Sequence, residues 1–531
     1  MCLCTICGAD GTSGHGSRYP VVPPRGSLMC YSCLELKNLE AQIADTKAFL
    51  NHLEAHIDLL KFNHNHTHDY FTHRLPPEVA SHIFVLAVAD AETLQDQHRA
   101  PLTLGAVSRR WRQIAWSTPR LWTEVPVDLN KFEESFHLPK ELLVQWIGRA
   151  GQLPLSVHIS FDATDSDSSR HTTNFTNIVN TLNEYSLRWE SLSLAMPFSL
   201  VPHLRATHEV PLLKRLTINP PYRVENNALQ HQGETFDICT VPPLLQDVSI
   251  EGFPFASIRI NWSHVTMLHF GGISVIDCLC IFQQAPQITE CSLRISNDMG
   301  ILHLDNPIIL PCLVQFEIHF ADDIDRANAL LDRISLPVLR HLEYEFDLQD
   351  YTPLARLLTR SSSPLTYLSI TCHSHEGVAT DGSLFETLRA APTVEDLHLD
   401  ITHLRKDFFD IISPIDAASN KAIFLPKLRQ LSYAGKLTFG WLSFIRFIDS
   451  RQSIRAEDGR SVFRSITLDV DMARTVQKDN ISIPWLRCID ELATLYICRL
   501  AERGMDIKIL HGTVDMLGYS RQFHEQLRFG K

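Results

Sequence analysis

The run "PVLRHLEY" (residues 337–344) is one copy of a pattern that organises most of the chain. It returns as "PLLKRLTI" (211–218), "PLLQDVSI" (243–250) and "PCLVQFEI" (311–318), then as "PLTYLSI" (364–370), "PTVEDLHL" (392–399) and "PKLRQLSY" (426–433). Weaker copies fill the gaps, among them "LRWESLSL" (187–194), "VTMLHF" (265–270) and "ITECSL" (288–293). Each copy ends in apolar and polar residues in alternation, the period of a strand with one buried face. Between copies lie helical patterns such as "ANALLDRISLP" (327–337), "LARLLTRSSSP" (354–364) and "LFETLRAAP" (384–392). From Pro311 to Pro426 the copies start 26, 27, 28 and 34 residues apart. A unit this small cannot bury its own apolar face, so units must stack on their neighbours. Roughly ten to twelve such units fit the region.

One strand and one helix per repeat resembles the irregular leucine-rich repeats of F-box proteins, without the regular Asn or Cys of the standard repeat. The resemblance implies a curved solenoid with strands on its concave face. No G-x-G-x-x-G or P-loop occurs, which disfavours an ordinary doubly wound nucleotide-binding domain. The concave face would carry Lys214, Arg215, Gln246, Asp247, Arg340, His341, Glu395, Asp396, Arg429 and Gln430. The stretch "PWLRCIDELATLYICRLAERGMDIKIL" (484–510) reads as a long helix and a final strand.

Composition bounds the partners. The 531 residues are 44% hydrophobic and 21% charged, ordinary for globular domains, and the formal net charge is −13. Without a basic tail or large Lys/Arg block, nucleic acid and anionic membranes are poor partners. No apolar run reaches the length of a membrane span and no signal-peptide pattern opens the chain, so the expected location is cytoplasmic or nuclear.

Five of the thirteen cysteines fall in the first 33 residues. Cys4-x2-Cys7 and Cys30-x2-Cys33 could each present two thiolates from one tight turn, and together complete a tetrahedral zinc shell. The Gly-, Pro- and Ser-rich loop between them has no core of its own. Cys2 competes with Cys4 for the first position, and the other reading is a reduced tail with incidental cysteines. Four thiolates leave no open coordination site, so the role is structural. A two-zinc RING needs eight ligands, and this segment offers at most five cysteines and His15.

Next comes a heptad: Leu36, Leu39, Ile43, Thr46, Leu50, Leu53, Ile57 and Leu60 alternate in steps of three and four. That predicts about four heptads, either self-associating or packed on their own chain. His64, His66, His68 and His73 then mark a solvated connector, with metal binding as the lesser alternative.

The stretches "RLPPEVASHIF" (74–84) and "PLTLGAVSRRWRQIAWSTPRLWTEV" (101–125) predict a small helical unit. Two prolines suit a first helical turn, and Glu78 complements its dipole. Val79, Ile83, Phe84, Leu86 and Ala87 give one apolar stripe, and Leu104, Val107, Trp111, Ile114 and Ala115 a second. Ser117 or Thr118 is placed to cap a third element that buries Leu121 and Trp122. So small a unit gains from a partner on an exposed apolar face.

These residues resemble the F-box, specifically the F-box-like proteins of mushroom-forming fungi, which also place a cysteine pair and a heptad helix ahead of the motif. The connector "ADAETLQDQHRA" (89–100) is longer than in the minimal motif. The resemblance implies docking on the Skp-type adaptor of a cullin-RING (SCF) ubiquitin ligase through Leu75, Pro76, Pro77, Ile83, Leu102, Leu104 and Val107. Trp111 and Trp122 are expected in the core.

The expected fold class is therefore α/β. It comprises a zinc knuckle at 1–33 (ligands Cys4, Cys7, Cys30 and Cys33), a heptad helix and His-rich connector at 34–73, and an all-α F-box-like domain at 74–125. A linker with the first solenoid elements follows at 126–185, then a leucine-rich-repeat solenoid at 186–531. No nucleophile elbow, kinase signature or zincin motif is present, so the chain is expected to be a non-enzymatic receptor. Its expected partners are the adaptor, the cullin and an unknown target protein. The alternative is a scaffold outside any ligase, oligomerising through the heptads and binding a protein ligand on the repeats.

Overall fold

The computed structural model describes residues 31–529, apart from 68–70, 72–73, 130–139, 162–167, 205–209, 220–234, 239–244, 254, 296–306, 321–323, 347–349, 373–381, 417–420, 455–461, 472, 479–480 and 487. It divides into two compact units, Met1–Leu121 and Trp122–Lys531.

The described part of the first unit is helical. Helix α1 (Tyr31–Thr67) runs for 37 residues, past the last heptad leucine and through His64 and His66, which sequence reading placed in a connector. The exposure of its apolar heptad residues lies between 42% at Leu53 and 58% at Leu36, and no described side chain of α1 is buried. Among the described residues, then, the heptad stripe is open to water. Helices α2 (Pro77–Ala89), α3 (Leu94–Val107) and α4 (Arg109–Trp116) follow, then a 3-10 turn at Pro119–Trp122.

Two boundaries differ from expectation. The long connector is largely helical: Thr93 accepts the Asp96 N–H (3.1 Å) and starts α3 well before Leu104, with Pro101 inside the helix. The stripe Leu104–Ala115 is also not one helix. Ser108 is extended (φ −152°, ψ 167°), and its hydroxyl accepts the Trp111 N–H at 3.1 Å, capping α4. Serine offers the backbone a partner outside the helical ladder, and the chain turns there.

The second unit is built on one 15-stranded sheet whose strands lie in chain order. They are β1 (Glu124–Asp128), β2 (Leu155–Ser160), β3 (Trp189–Ala195), β4 (Arg215–Asn219) and β5 (Asp247–Glu251). Then come β6 (Met267–Ile273), β7 (Glu290–Ile295), β8 (Gln315–Phe320), β9 (His341–Phe346) and β10 (Tyr367–Cys372). The series ends with β11 (Asp396–His403), β12 (Gln430–Lys436), β13 (Ser465–Asp471), β14 (Asp506–His511) and β15 (Val514–Asp515). Neighbours pair in parallel from β1 to β14, and only the last, β15, is antiparallel to its neighbour.

The copies read from sequence are these strands and the turns entering them. In "PVLRHLEY", Leu339, Leu342 and Tyr344 are buried while Arg340, His341 and Glu343 are not. From β5 to β13 each rung is clasped to the one before it by a single carbonyl that accepts two N–H groups. Val314 O takes Arg340 N and His341 N (2.8 and 3.0 Å), Arg340 O takes Thr366 N and Tyr367 N (2.9 and 3.0 Å), and Thr366 O takes Glu395 N and Asp396 N (2.8 and 3.0 Å). Both lone pairs of the carbonyl are used, so the buried edge of each turn leaves no orphan acceptor.

The sheet holds more strands than the ten to twelve units expected: β1 starts in residues read as the motif's end, β2 lies in the segment expected to hold a linker and the first solenoid elements, and the short antiparallel β15 adds a closing strand. Several links are not the helix-per-repeat that was anticipated. β3 and β4 are joined through a 3-10 turn, Phe198–His203, where Pro202 denies a regular helix its N–H. Helices do occupy the links at Lys140–Arg149, Ser168–Glu184, Val275–Gln284, Ile324–Leu331, Thr352–Ser361, Gly382–Ala390, Phe408–Ile412, Trp441–Ser453 and Glu491–Glu502, the last within the stretch read as the closing helix. A final helix, Met516–Phe529, follows β15.

Candidate functional site

In the first unit the two sides of α2 divide its apolar residues. Ala80 and Phe84 turn inward, and Phe84 joins Phe71 and Trp111 in a ring cluster with centroids 4.8 Å (Phe84–Trp111) and 5.2 Å (Phe71–Trp111) apart. Thr118 donates to Ile114 O (2.7 Å) and lies 2.9 Å from Ser81 Oγ, tying the chain beyond α4 to α2. The hydroxyl thus binds behind itself and does not cap the 3-10 turn. Arg112 Nε donates to Gly105 O at 2.8 Å, joining α4 to the end of α3.

The other side of α2, and the outer side of α3, stay apolar and open. Val79, Ile83 and Leu86, spaced one helical turn apart, are 43%, 36% and 55% exposed. Leu102 and Val107 on α3 are 53% and 50% exposed. Pro76 and Pro77 are exposed at the start of α2, while Leu75 and Leu104 are half-buried. Water-facing leucine, isoleucine and valine over two successive helices make this an exposed apolar surface rather than a core. Sequence reading missed the roles of Phe71, which it left in the connector, and of Trp116, which is 46% exposed. Phe71 stands apart from the helical stripes that flag core residues, so periodicity could not find it.

The second candidate surface is the solvent-facing side of the sheet. Registered pairing sets its side chains in rows across the strands: Gln315, His341, Tyr367, Asp396 and Gln430 form one, and Glu317, Glu343, Ser369, His398 and Ser432 the next. The His341 and Tyr367 rings stack at 4.0 Å, and Tyr367 lies 5.1 Å from His398. Burial of His398 pushes its imidazole below the ordinary histidine range, against the pull of Asp396 and Glu343. A third row, His319, Glu345, Thr371, Asp400, Ala434 and Asp469, ends at a shallow hollow of about 320 Å³ lined by Asp400, Thr402, Gly435, Lys436, Asp471 and His511. Of the residues expected on this face, His341, Asp396 and Gln430 lie in these rows. Lys214 and Glu395 sit at strand entries, paired with Glu190 (2.9 Å) and Arg429 (3.2 Å) respectively.

Cys4, Cys7 and Cys30 lie outside the described residues; the backbone of Cys33 belongs to α1. Among the described residues no helix is long and apolar enough to cross a membrane.

No curated protein matches the chain. The family model described as F-box-like matches residues 72–125, which include α2, α3, α4 and the 3-10 turn. The unit that bears the open apolar face of α2 and α3 thus carries an F-box-like domain.

Proposed function

We propose that the chain is the substrate-receptor subunit of an SCF-type cullin-RING ubiquitin ligase. In this reading the F-box-like domain docks on a Skp-type adaptor, and through it on the cullin. The second unit acts as a leucine-rich-repeat solenoid that holds a target protein. The observation that carries the reading is the unburied apolar face running over Pro76, Pro77, Ile83, Leu102 and Val107. An F-box-like domain used only as a spacer would gain by burying that face against its own chain. Co-purification with a basidiomycete Skp-type adaptor tests it: the intact chain retains the adaptor, and Ile83→Asp/Leu102→Asp loses it. Both side chains are at least a third exposed, and an unchanged circular-dichroism melt of the variant separates loss of docking from loss of fold.

Support for the repeat reading is the chain-order sheet, parallel from β1 to β14, with one carbonyl clasp per rung from β5 to β13. The chain acts by binding, with no catalytic role of its own, in the cytoplasm or nucleus. The N-terminal cysteines Cys4, Cys7, Cys30 and Cys33 form a structural zinc site in this reading. Metal analysis of the purified chain then finds about one zinc per chain, and Cys30→Ser/Cys33→Ser removes it. Zinc content equal in the two proteins would discard the site.

A further inference from the structure

The second exposed apolar feature, the stripe on α1, has a charge pattern that selects its partner. Leu36, Ile43, Leu50 and Ile57 take the a positions of the heptad, and Leu39, Thr46, Leu53 and Leu60 the d positions. All the apolar ones among them face water. One contact that α1 makes within its own unit lies elsewhere on its circumference: Arg109 stacks on Phe62, an f position opposite the stripe, at 4.6 Å. Flanking the stripe, the e positions are Glu40, Lys47, Glu54 and Lys61, alternating in sign, and the g positions are Glu35, Gln42, Phe49 and His56.

We infer that α1 pairs with α1 of a second copy of this chain as an antiparallel two-stranded coiled coil. The alternation decides the direction. In a parallel pair, g residues meet e residues of the next heptad on the partner, which sets Glu35 against Glu40, Gln42 against Lys47, Phe49 against Glu54 and His56 against Lys61. No opposite charges meet there, and one pair repels. In an antiparallel pair, e faces e. Centring the pair between Asn51 and His52 sets Glu40 against Lys61 and Lys47 against Glu54, each occurring twice by symmetry. The same register stacks Ile43 on Leu60, Thr46 on Ile57 and Leu50 on Leu53, again twice each, and places Phe49 beside His56. One register thus satisfies the apolar layers and all the e-position charges together. About three to four heptads are what a stable two-stranded coil requires, and the stripe has that length.

The inference rests on α1 alone and stands whether or not the adaptor reading holds. If both hold, the dimer carries its two F-box-like domains at opposite ends of a rod, roughly 45 Å apart at 1.5 Å per residue. A parallel pair would set them side by side.

Sedimentation of the intact chain across concentrations gives the first test, with a dimer expected and Ile43→Asp/Leu53→Asp shifting it to monomer. A wild-type chain that stays monomeric at every concentration overturns the inference. Direction is read by charge exchange. Lys47→Glu and Glu54→Lys each set like charges together twice in the antiparallel pair, weakening dimerisation on the order of tenfold, and the double exchange restores it. In a parallel pair Lys47 and Glu54 never meet, so the double exchange would show no rescue, and that result would overturn the antiparallel assignment.

Discussion

Arg451 shows how one side chain can hold a stretch of irregular chain. It lies on the helix Trp441–Ser453 and is only 2% exposed. Its guanidinium donates to Leu425 O (3.0 Å), Ile412 O (2.8 Å) and Phe424 O (2.8 Å), and sits 5.2 Å from the Phe447 ring centre. Burial pushes its pKa down to about 10, which still leaves it charged at neutral pH. Leu425 itself has φ 46°, a left-handed conformation that costs a leucine about 1–2 kcal/mol, and Arg451 holds its carbonyl. Arg451→Leu strands three buried carbonyls at once, so the expected loss is about 3 kcal/mol or more. A chemical-denaturation midpoint for the second unit measures it. A midpoint within error of wild type would show that water satisfies these carbonyls as well as arginine does. A lone arginine in "FIDSRQS" carries no sequence signal of burial, because the carbonyls that select it lie some 26 to 39 residues away.

At the scale of elements, the strands were the legible part and the links were not. Alternation of apolar and polar residues is a local code, so "PVLRHLEY" and its relatives mark strand and turn wherever they occur. The links answer to caps and prolines that act one residue at a time: Ser108 divides a continuous apolar stripe, Thr93 starts a helix inside an apparent connector, and Pro202 leaves a 3-10 turn. Gly435 marks a similar limit. At φ 149°, a β-carbon there would lie 2.1 Å from Ile401 O, where the β11–β12 register shifts. Registered strands also build the charged rows. On the open face of β8 to β14, Glu317, Glu343, Glu345, Asp396, Asp400 and Asp469 outweigh Lys436 and Lys508. A basic peptide is the chemistry this face suits. A labelled Lys/Arg-rich peptide is therefore expected to bind the intact chain in a salt-dependent way, and Glu343→Lys/Glu345→Lys to weaken it on the order of tenfold. Equal anisotropy titrations for the two proteins would show that these carboxylates do not hold a basic peptide.

For the whole molecule, the division of labour follows from how each unit treats its apolar surface. The second unit buries a large core: Leu, Ile, Val and Phe from successive rungs stack between sheet and helices, and the large apolar side chains left outside, such as Ile309, Leu442 and Leu492, are scattered over many elements. The first unit leaves two apolar stripes in water, one on α1 and one over α2 and α3. The motif "RLPPEV…IF" let the sequence name the residues of the second stripe, but whether they were buried could not be read from one chain's pattern. Helical periodicity marks an apolar side without saying what covers it. The direct test is calorimetric titration of a purified Skp-type adaptor into the intact chain and into Ile83→Asp/Leu102→Asp. The account predicts saturable binding by the first and at least a hundredfold weaker binding by the second, about 2.7 kcal/mol or more. Undiminished binding by the variant, or none by the intact chain, would contradict the assignment of this face to the adaptor.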